Sequence, residues 1–312
     1  MKYSFVLPAY KAKFLKRAID SIVNQTYTDF ELIVVNDASP DDLDSIIDSY
    51  SDRRIKYYKN KENVGGVSLV KQWNYCVSLC NTDYFVLASD DDEYDWGYLM
   101  EMDKLVSKYP DANVFRPRVK YVDDKNNTLW IDGYLKEFCS GLDFLDAWTK
   151  GWIGGGIPFY LFKRQAISDI EGFANYPMAW HSDDATILRM SKNGIVSTTD
   201  ILFSFRTSGI NISSRRNTYE DLINKINASA QFYEEVMQYL SSINSLDEYQ
   251  VSLKLSIERA LASFIQNDRI HGQVFNASIK DATLAVKESM HIPFISKKRI
   301  LLRYFIFLIY GR

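Results

Sequence analysis

Short apolar runs alternate with amphipathic segments through the first third of the chain, and this rhythm restricts the possible folds more than any other feature. "SFVLP" (4–8), "ELIVVN" (31–36), "IKYYKN" (55–60) and "YFVLAS" (84–89) each have the length and apolar content of a strand. Between the first two, "FLKRAIDSIV" (14–23) places Phe14, Ala18, Ile19, Ile22 and Val23 on one helical face. "DASPDDLDSIIDSY" supplies a turn and a helix start, and residues 67–80 read as a further helix after a glycine turn. Strands that alternate with helices imply a mainly parallel sheet covered on both faces. The expected class is therefore α/β, with a Rossmann-like central sheet and residues 1–100 as its nucleotide-binding half.

The rest of the chain changes character twice. Residues 101–215 are mixed: "VFRPRVKYVD" and "TLWIDG" read as strands, and "WIGGGIPFYLFKR" as a glycine turn running into another. "DDATILRMSKNG" reads as a helix with acids at its start and glycine after its end. From about residue 218 the pattern is helical to the end, so 216–312 is expected to be a helical extension. A chain of 312 residues accommodates one large domain with such an appendage.

Composition removes several function classes. A net charge of -3 provides no global positive field, which argues against nucleic acid as the main partner. Three cysteines, Cys76, Cys80 and Cys139, make no disulfide framework, and with three histidines they make a poor zinc set. They read as reduced, buried thiols of a cytoplasmic protein. "MKYSFVLPAY" meets a proline too early for a signal peptide, and no apolar run approaches the 18 or so residues of a membrane span.

The chemistry lies at strand ends. No G-x-G-x-x-G follows the first strand and no G-x-x-x-x-G-K-[ST] occurs, so neither a dinucleotide fold nor a P-loop is supported. In open α/β sheets ligands bind beyond the carboxyl ends of the strands. Pro8-Ala9-Tyr10, Asp37 and Asp90-Asp91-Asp92 all fall at such ends. Three adjacent carboxylates repel one another and need solvent, a counter-charge or a metal. A solvated Asp-rich turn is the plain reading. Mg2+ or Mn2+, held through hard oxygen ligands with positions left for phosphate, is the functional one.

"SFVLPAYKAKFLKRAIDSIVNQTYTDFELIVVNDASPDD" strongly resembles the N-terminus of inverting family 2 glycosyltransferases of the GT-A fold, of the bacterial surface-polysaccharide type. Pro8, Tyr10, Ser21, Gln25, Tyr27, Glu31, Asp37 and Ser39 match its pattern in order. "ENVG" (62–65), "SDDD" (89–92), "IEGF" (170–173), "DDATILRMSKNG" (183–194) and "FRTSG" (205–209) extend the likeness over residues 2–215. The resemblance implies a catalytic domain at 1–215, with the acceptor-binding half at 101–215. It also implies transfer of a sugar from a nucleotide-diphosphate donor, a UDP-sugar favoured, to a hydroxyl of a glycan or lipid-linked glycan.

Residue roles follow from the same resemblance. Pro8, Ala9 and Tyr10 would line the base pocket, Asp37 would bond to the base, and Asn63 and Gly65 would lie in the loop beside the nucleotide. Asp90 and Asp91 match the metal and ribose carboxylates, with Asp92 as reserve ligand; Ala88 replaces the first acid of the family's D-x-D-D, which leaves the division of labour open. Counting back six from Arg189 gives Asp183 as the general base, with Asp184 as the alternative. Gly154, Gly155, Gly156, Trp180, His181, Arg189 and Arg206 would border the donor and acceptor, with a helix tether as the other reading of Arg189 and packing as that of Trp180 and His181. Ser208 stands where relatives often carry a histidine, and Lys71 is the nearby base after the "NVG" turn, available to phosphate.

The end of the chain carries its own signal. "HIPFISKKRILLRYFIFLIYGR" (291–312) has five Lys or Arg and no acid. Bases beside aromatic and aliphatic residues suit peripheral contact with anionic lipid at the inner face of the membrane. The competing reading is a terminal helix packed on the catalytic domain with its bases in water. Against transfer stand two other functions, a nucleotide-sugar- or carbohydrate-binding protein without turnover and a nucleotidyltransferase. The second needs a glycine- and base-rich loop after the first strand, which "LPAYKAKFLKRAI" does not provide.

Overall fold

A computed structural model describes residues 1–207, 216–244, 246–292 and 295–310. The N-terminal half contains β1 (Tyr3–Ala9), α1 (Leu15–Val23), β2 (Phe30–Asn36), α2 (Leu43–Asp48), β3 (Ile55–Lys59), α3 (Leu69–Ser78), β4 (Tyr84–Leu87), β5 (Glu93–Tyr94) and α4 (Tyr98–Lys108). The second half follows with β6 (Val114–Val122), β7 (Thr128–Ile131), β8 (Phe138–Cys139), α5 (Gly141–Thr149), β9 (Leu161–Lys163), α6 (Arg164–Asp169), α7 (Ser182–Met190) and β10 (Ile195–Arg206). The described residues after β10 form the α-helices α8 (Tyr219–Ser242), α9 (Glu248–Phe264), α10 (His271–Phe275), α11 (Ile279–Glu288) and α12 (Lys297–Tyr310).

The described strands form one sheet in the order β3-β2-β1-β4-β9-β6-β10-β5, with β7 on β6 and β8 on β10. Strands β3, β2, β1 and β4 are parallel, as are β6 and β10. Strand β9 lies antiparallel between β4 and β6. β2 is buried at every residue, the mark of a strand covered on both faces. Helix α1 buries Leu15, Ala18, Ile19 and Ile22 against the sheet. The three cysteines are buried free thiols.

Two strand ends differ slightly from the sequence reading, and both differences shape the site. β1 continues past Pro8, because the Ala9 carbonyl still accepts from the Asp37 amide at 3.0 Å. β4 ends at Leu87; the Ala88 amide makes a last bond to the Val6 carbonyl at 2.7 Å, and the chain then turns into the acidic triplet.

The C-terminal helices share the sheet's core. Leu222, Ile226, Ala228, Phe232, Val236 and Leu240 of α8 belong to one continuous apolar cluster with the strands. Burying a side chain of this size contributes about 1.5–3 kcal/mol. Phe232 stacks on His181 at 4.9 Å between ring centroids with planes 8° apart, and packs edge-on against Trp148 of α5 at 5.4 Å. Helix α8 therefore rests directly on the segment that begins α7. No helix of the described residues is long and apolar enough to cross a membrane.

Candidate active site

At the end of β4 the three acids take three different tasks. Asp90 turns back to β1, and its Oδ2 accepts from the amides of Tyr10 and Lys11, both at 2.8 Å. Asp92 is fully buried; its Oδ1 accepts from the Arg206 amide at 2.8 Å, and its Oδ2 from the Ser89 hydroxyl. Asp91 has no backbone partner among the described residues, although the Ser89 hydroxyl also bears on it. Burial raises all three carboxyls above their ordinary value, and for Asp91 and Asp92 the charge of the preceding acid adds to it. The ammonium of Lys11 opposes this at Asp90 and Asp91. Lys11 carried no signal in the sequence beyond its place after the first strand.

Asp37 gathers the neighbouring loop. Its Oδ1 accepts from Asn60 Nδ2 at 2.6 Å and from the Val64 amide at 2.9 Å, and its Oδ2 accepts from the Gly65 amide at 2.7 Å. A Cβ on Gly65 would stand 2.8 Å from that Oδ2, so the close approach requires glycine. Asn63 Oδ1 closes the same loop by accepting from the Gly66 amide at 2.6 Å. Pro8 is half-buried, Ala9 buried and Tyr10 exposed, and the Ser39 hydroxyl donates to the Tyr10 carbonyl at 2.6 Å. Hydrogen bonds thus link the Pro8–Tyr10 strand end to Asp37 and Asp90, and Asp37 to the loop of Asn63 and Gly65. Lys71 sits exposed on α3.

The second acid site is built on strained backbone. Met178, Ala179 and His181 have φ of 57°, 55° and 63°, left-handed conformations that cost non-glycine residues of order 1–3 kcal/mol each. Side-chain bonds hold the turn: Trp180 Nε1 donates to Ser229 Oγ of α8 at 3.2 Å, and His181 Nε2 faces the same hydroxyl at 3.2 Å. His181 Nδ1 lies 2.9 Å from Asp184 Oδ2. Burial lowers the imidazole below its ordinary value, so the ring is neutral near pH 7 and its Nδ1–H donates to the carboxylate.

The two acids of α7 are therefore unlike. Asp184 is buried, which alone would raise it, but the His181 bond and the positive charge of Arg269 hold it below its ordinary value. Asp183 is half-buried; its Oδ1 accepts from the Asp184 amide at 2.9 Å. Burial first, then the charge of Asp184, push its carboxyl up to about 7. Gly155 lies against this pair: a Cβ there would stand 2.6 Å from Asp184 Oδ1 and 3.8 Å from Asp183 Oδ2. The Gly154 amide donates to Asp132 Oδ1 at 3.1 Å, and Asp132 pairs with the fully buried Arg116. Gly156 leads into a 3-10 turn, Ile157–Phe159.

Two arginines named in the sequence are held by protein groups. Arg189 forms a two-point pair with Glu235 of α8, Nε to Oε1 and Nη2 to Oε2, both at 2.7 Å, and so ties α7 to the helical region. Arg206 is fully buried under the acidic turn, donating from Nε to the Asp91 carbonyl at 2.9 Å, from Nη1 to the Asp123 carbonyl at 2.8 Å, and from Nη2 to Glu93. Ser208 lies outside the described residues, as do 293–294 and 311–312 of the basic tail. Arg116, Asp132 and Arg269 were not singled out by sequence, because nothing local marks an arginine or aspartate that a distant element will bury.

The mainly parallel sheet with its surrounding helices is the GT-A fold. Residues 4–170 match the model of glycosyl transferase family 2, and the chain belongs to that family. It is similar to an uncharacterized glycosyltransferase of Rickettsia prowazekii, 25% identical over 84% of this chain and 86% of that protein. An uncharacterized glycosyltransferase of Rickettsia typhi is 33% identical over 41% of this chain, which spans only 39% of that relative's length. Among solved structures, residues 1–349 of Staphylococcus aureus TarS in complex with UDP-GlcNAc superpose with a TM-score of 0.68 at 15% identity, over 96% of this chain and 83% of that one. A mannosyltransferase from Pyrobaculum calidifontis in complex with GDP-Man and Mn2+ gives 0.54 at 16% identity, over 99% and 81%.

Proposed function

We propose that the protein is an inverting, metal-dependent glycosyltransferase. It moves a sugar from a nucleoside-diphosphate donor, a UDP-sugar favoured, to a hydroxyl of a glycan or lipid-linked glycan in cell-surface polysaccharide assembly. The observation that carries this reading is the state of Asp183. Its carboxyl is half-buried, anchored through one oxygen, raised to about 7 and bordered by Gly155, where an added Cβ would meet the neighbouring Asp184. A general base works best when its pKa lies near the operating pH. The neighbours solved with UDP-GlcNAc and with GDP-Man support a nucleotide-sugar donor.

Inversion requires one in-line displacement. The acceptor oxygen bonds to the anomeric carbon, its proton passes to Asp183 Oδ2, and the bond from that carbon to the diphosphate oxygen breaks. No covalent nucleophile takes part. Asp37 and its loop hold the base and Asp90 fixes the Tyr10–Lys11 backbone beside it. Asp91 is the carboxylate left for a divalent cation: it lacks a backbone partner, and burial with the added charge of Asp90 raises it, a cost that Mn2+ or Mg2+ would relieve. A bound cation supplies positive charge for the departing diphosphate. Helix α12 presents Leu302, Phe305, Ile306 and Ile309 exposed on one face, with Lys298, Arg299 and Arg303 exposed at its start. This surface suits peripheral attachment to anionic lipid at the inner face of the membrane.

Calorimetric titration with UDP, GDP and dTDP, each with and without Mn2+, tests the donor site. Tight binding of one nucleotide only with metal is expected; metal-independent binding, or none, overturns the role of Asp91.

A further inference from the structure

Helix α9 passes at Phe264 into a π-helical turn, Ile265–Ile270, before α10 begins. Such turns are rare and are frequently found at functional sites. This one carries Arg269. Its guanidinium carbon lies 4.9 Å from the centre of the Trp148 ring and 5.4 Å from that of Phe264. Trp148 packs edge-on against His181, at 6.1 Å between centroids, and His181 holds Asp184. Arg269 Nε is buried with no hydrogen-bond partner among the described residues. A guanidinium resting on aromatic faces with an unpaired N–H keeps its charge available to nearby anions.

We propose that Arg269 is a positioning residue for sugar transfer: through the π-turn, the C-terminal helical region supplies the counter-charge of the Asp183–Asp184 pair. The inference rests on the reading of Asp183 as the base. Adjacent carboxylates in a confined space cannot both ionise unless a cation compensates. The groups around the pair come from several elements. His181 precedes α7, and Tyr160 precedes β9, with Arg116 of β6 and Asp132 behind it. Arg269 comes from the π-turn, and its charge bears on both acids. Without it, the low side of the balance is carried by the neutral His181, the Trp148 indole and backbone amides, none of which is a cation.

The test needs no substrate. In protein labelled with 13C at aspartate carboxyls, the titration step lost in Asp183→Asn identifies the pair. Arg269→Gln is expected to raise that step by about one pH unit or more, and Arg269→Lys to leave it near its original place. An unmoved step in a folded Arg269→Gln protein overturns the proposal. An equal shift in both variants also overturns it, since packing rather than charge would then be responsible. UDP release from UDP-GlcNAc, followed separately against pH, reports on the donor reading. Its absence would reject that donor while leaving the titration result standing.

Discussion

His181 Nδ1 lies 2.9 Å from Asp184 Oδ2, and this contact separates two acids that neighbour each other in sequence. Asp184 is spent on holding the strained turn, whereas Asp183 keeps Oδ2 facing the glycine loop. Asp183→Asn should therefore lower kcat by about 10²–10⁴ without lowering the melting temperature. Asp184→Ala should instead cost about 1–3 kcal/mol of stability, by stranding the buried His181 donor. Equal loss of stability in both would show that the division of roles is wrong.

The raised carboxyl of Asp183 links stability to pH. Its folded value of about 7 exceeds the ordinary 3.8, so the native state holds an extra proton between those values. Stability contributed by that proton is complete below pH 4 and lost as pH rises through about 7. Relative to wild type, Asp183→Asn should gain stability across this window, by at most about 4 kcal/mol before discounting for partial exposure. Denaturant midpoints measured from pH 4 to pH 8 check the sign; a constant difference contradicts it.

The acidic triplet should come apart by role. Asp91→Asn should remove the Mn2+ dependence of nucleotide binding and leave the metal-free protein no less stable, since a repulsion is relieved. Asp92→Ala should cost about 1–3 kcal/mol by unpairing the Arg206 amide. Calorimetry and thermal melts distinguish the two.

Gly155→Ala places a Cβ 2.6 Å from Asp184 Oδ1. The clash should displace the loop or the acid, at a cost of about 1–3 kcal/mol and a fall in turnover larger than any change in donor affinity. Wild-type turnover in this variant would mean that the loop does not border the reacting groups.

Phe305→Ser with Ile309→Ser should abolish co-sedimentation with phosphatidylglycerol vesicles and leave the fold intact, because both side chains are exposed. Vesicles of phosphatidylcholine should bind weakly even to wild type. Equal binding to both lipids would remove the electrostatic part of the argument.

The sequence by itself determined the α/β class, the strand ends that gather Pro8, Asp37 and Asp90, and the helix that opens on Asp183. These follow from local periodicity and from order along the chain, both of which survive folding unchanged. Tertiary structure alone decided which protein group each carboxylate meets. Asp90, Asp91 and Asp92 are identical side chains in adjacent positions, and only the amides of Tyr10, Lys11 and Arg206 distinguish them. It also decided that Arg189 and Arg206 face protein groups and that β9 slips antiparallel between β4 and β6. The left-handed turn before α7 and the reach of Arg269 to the acid pair depend on α8 and the π-turn, tens of residues further along the chain. Pairing across such separations is fixed by the packing of the whole core, and no local pattern of residues encodes it.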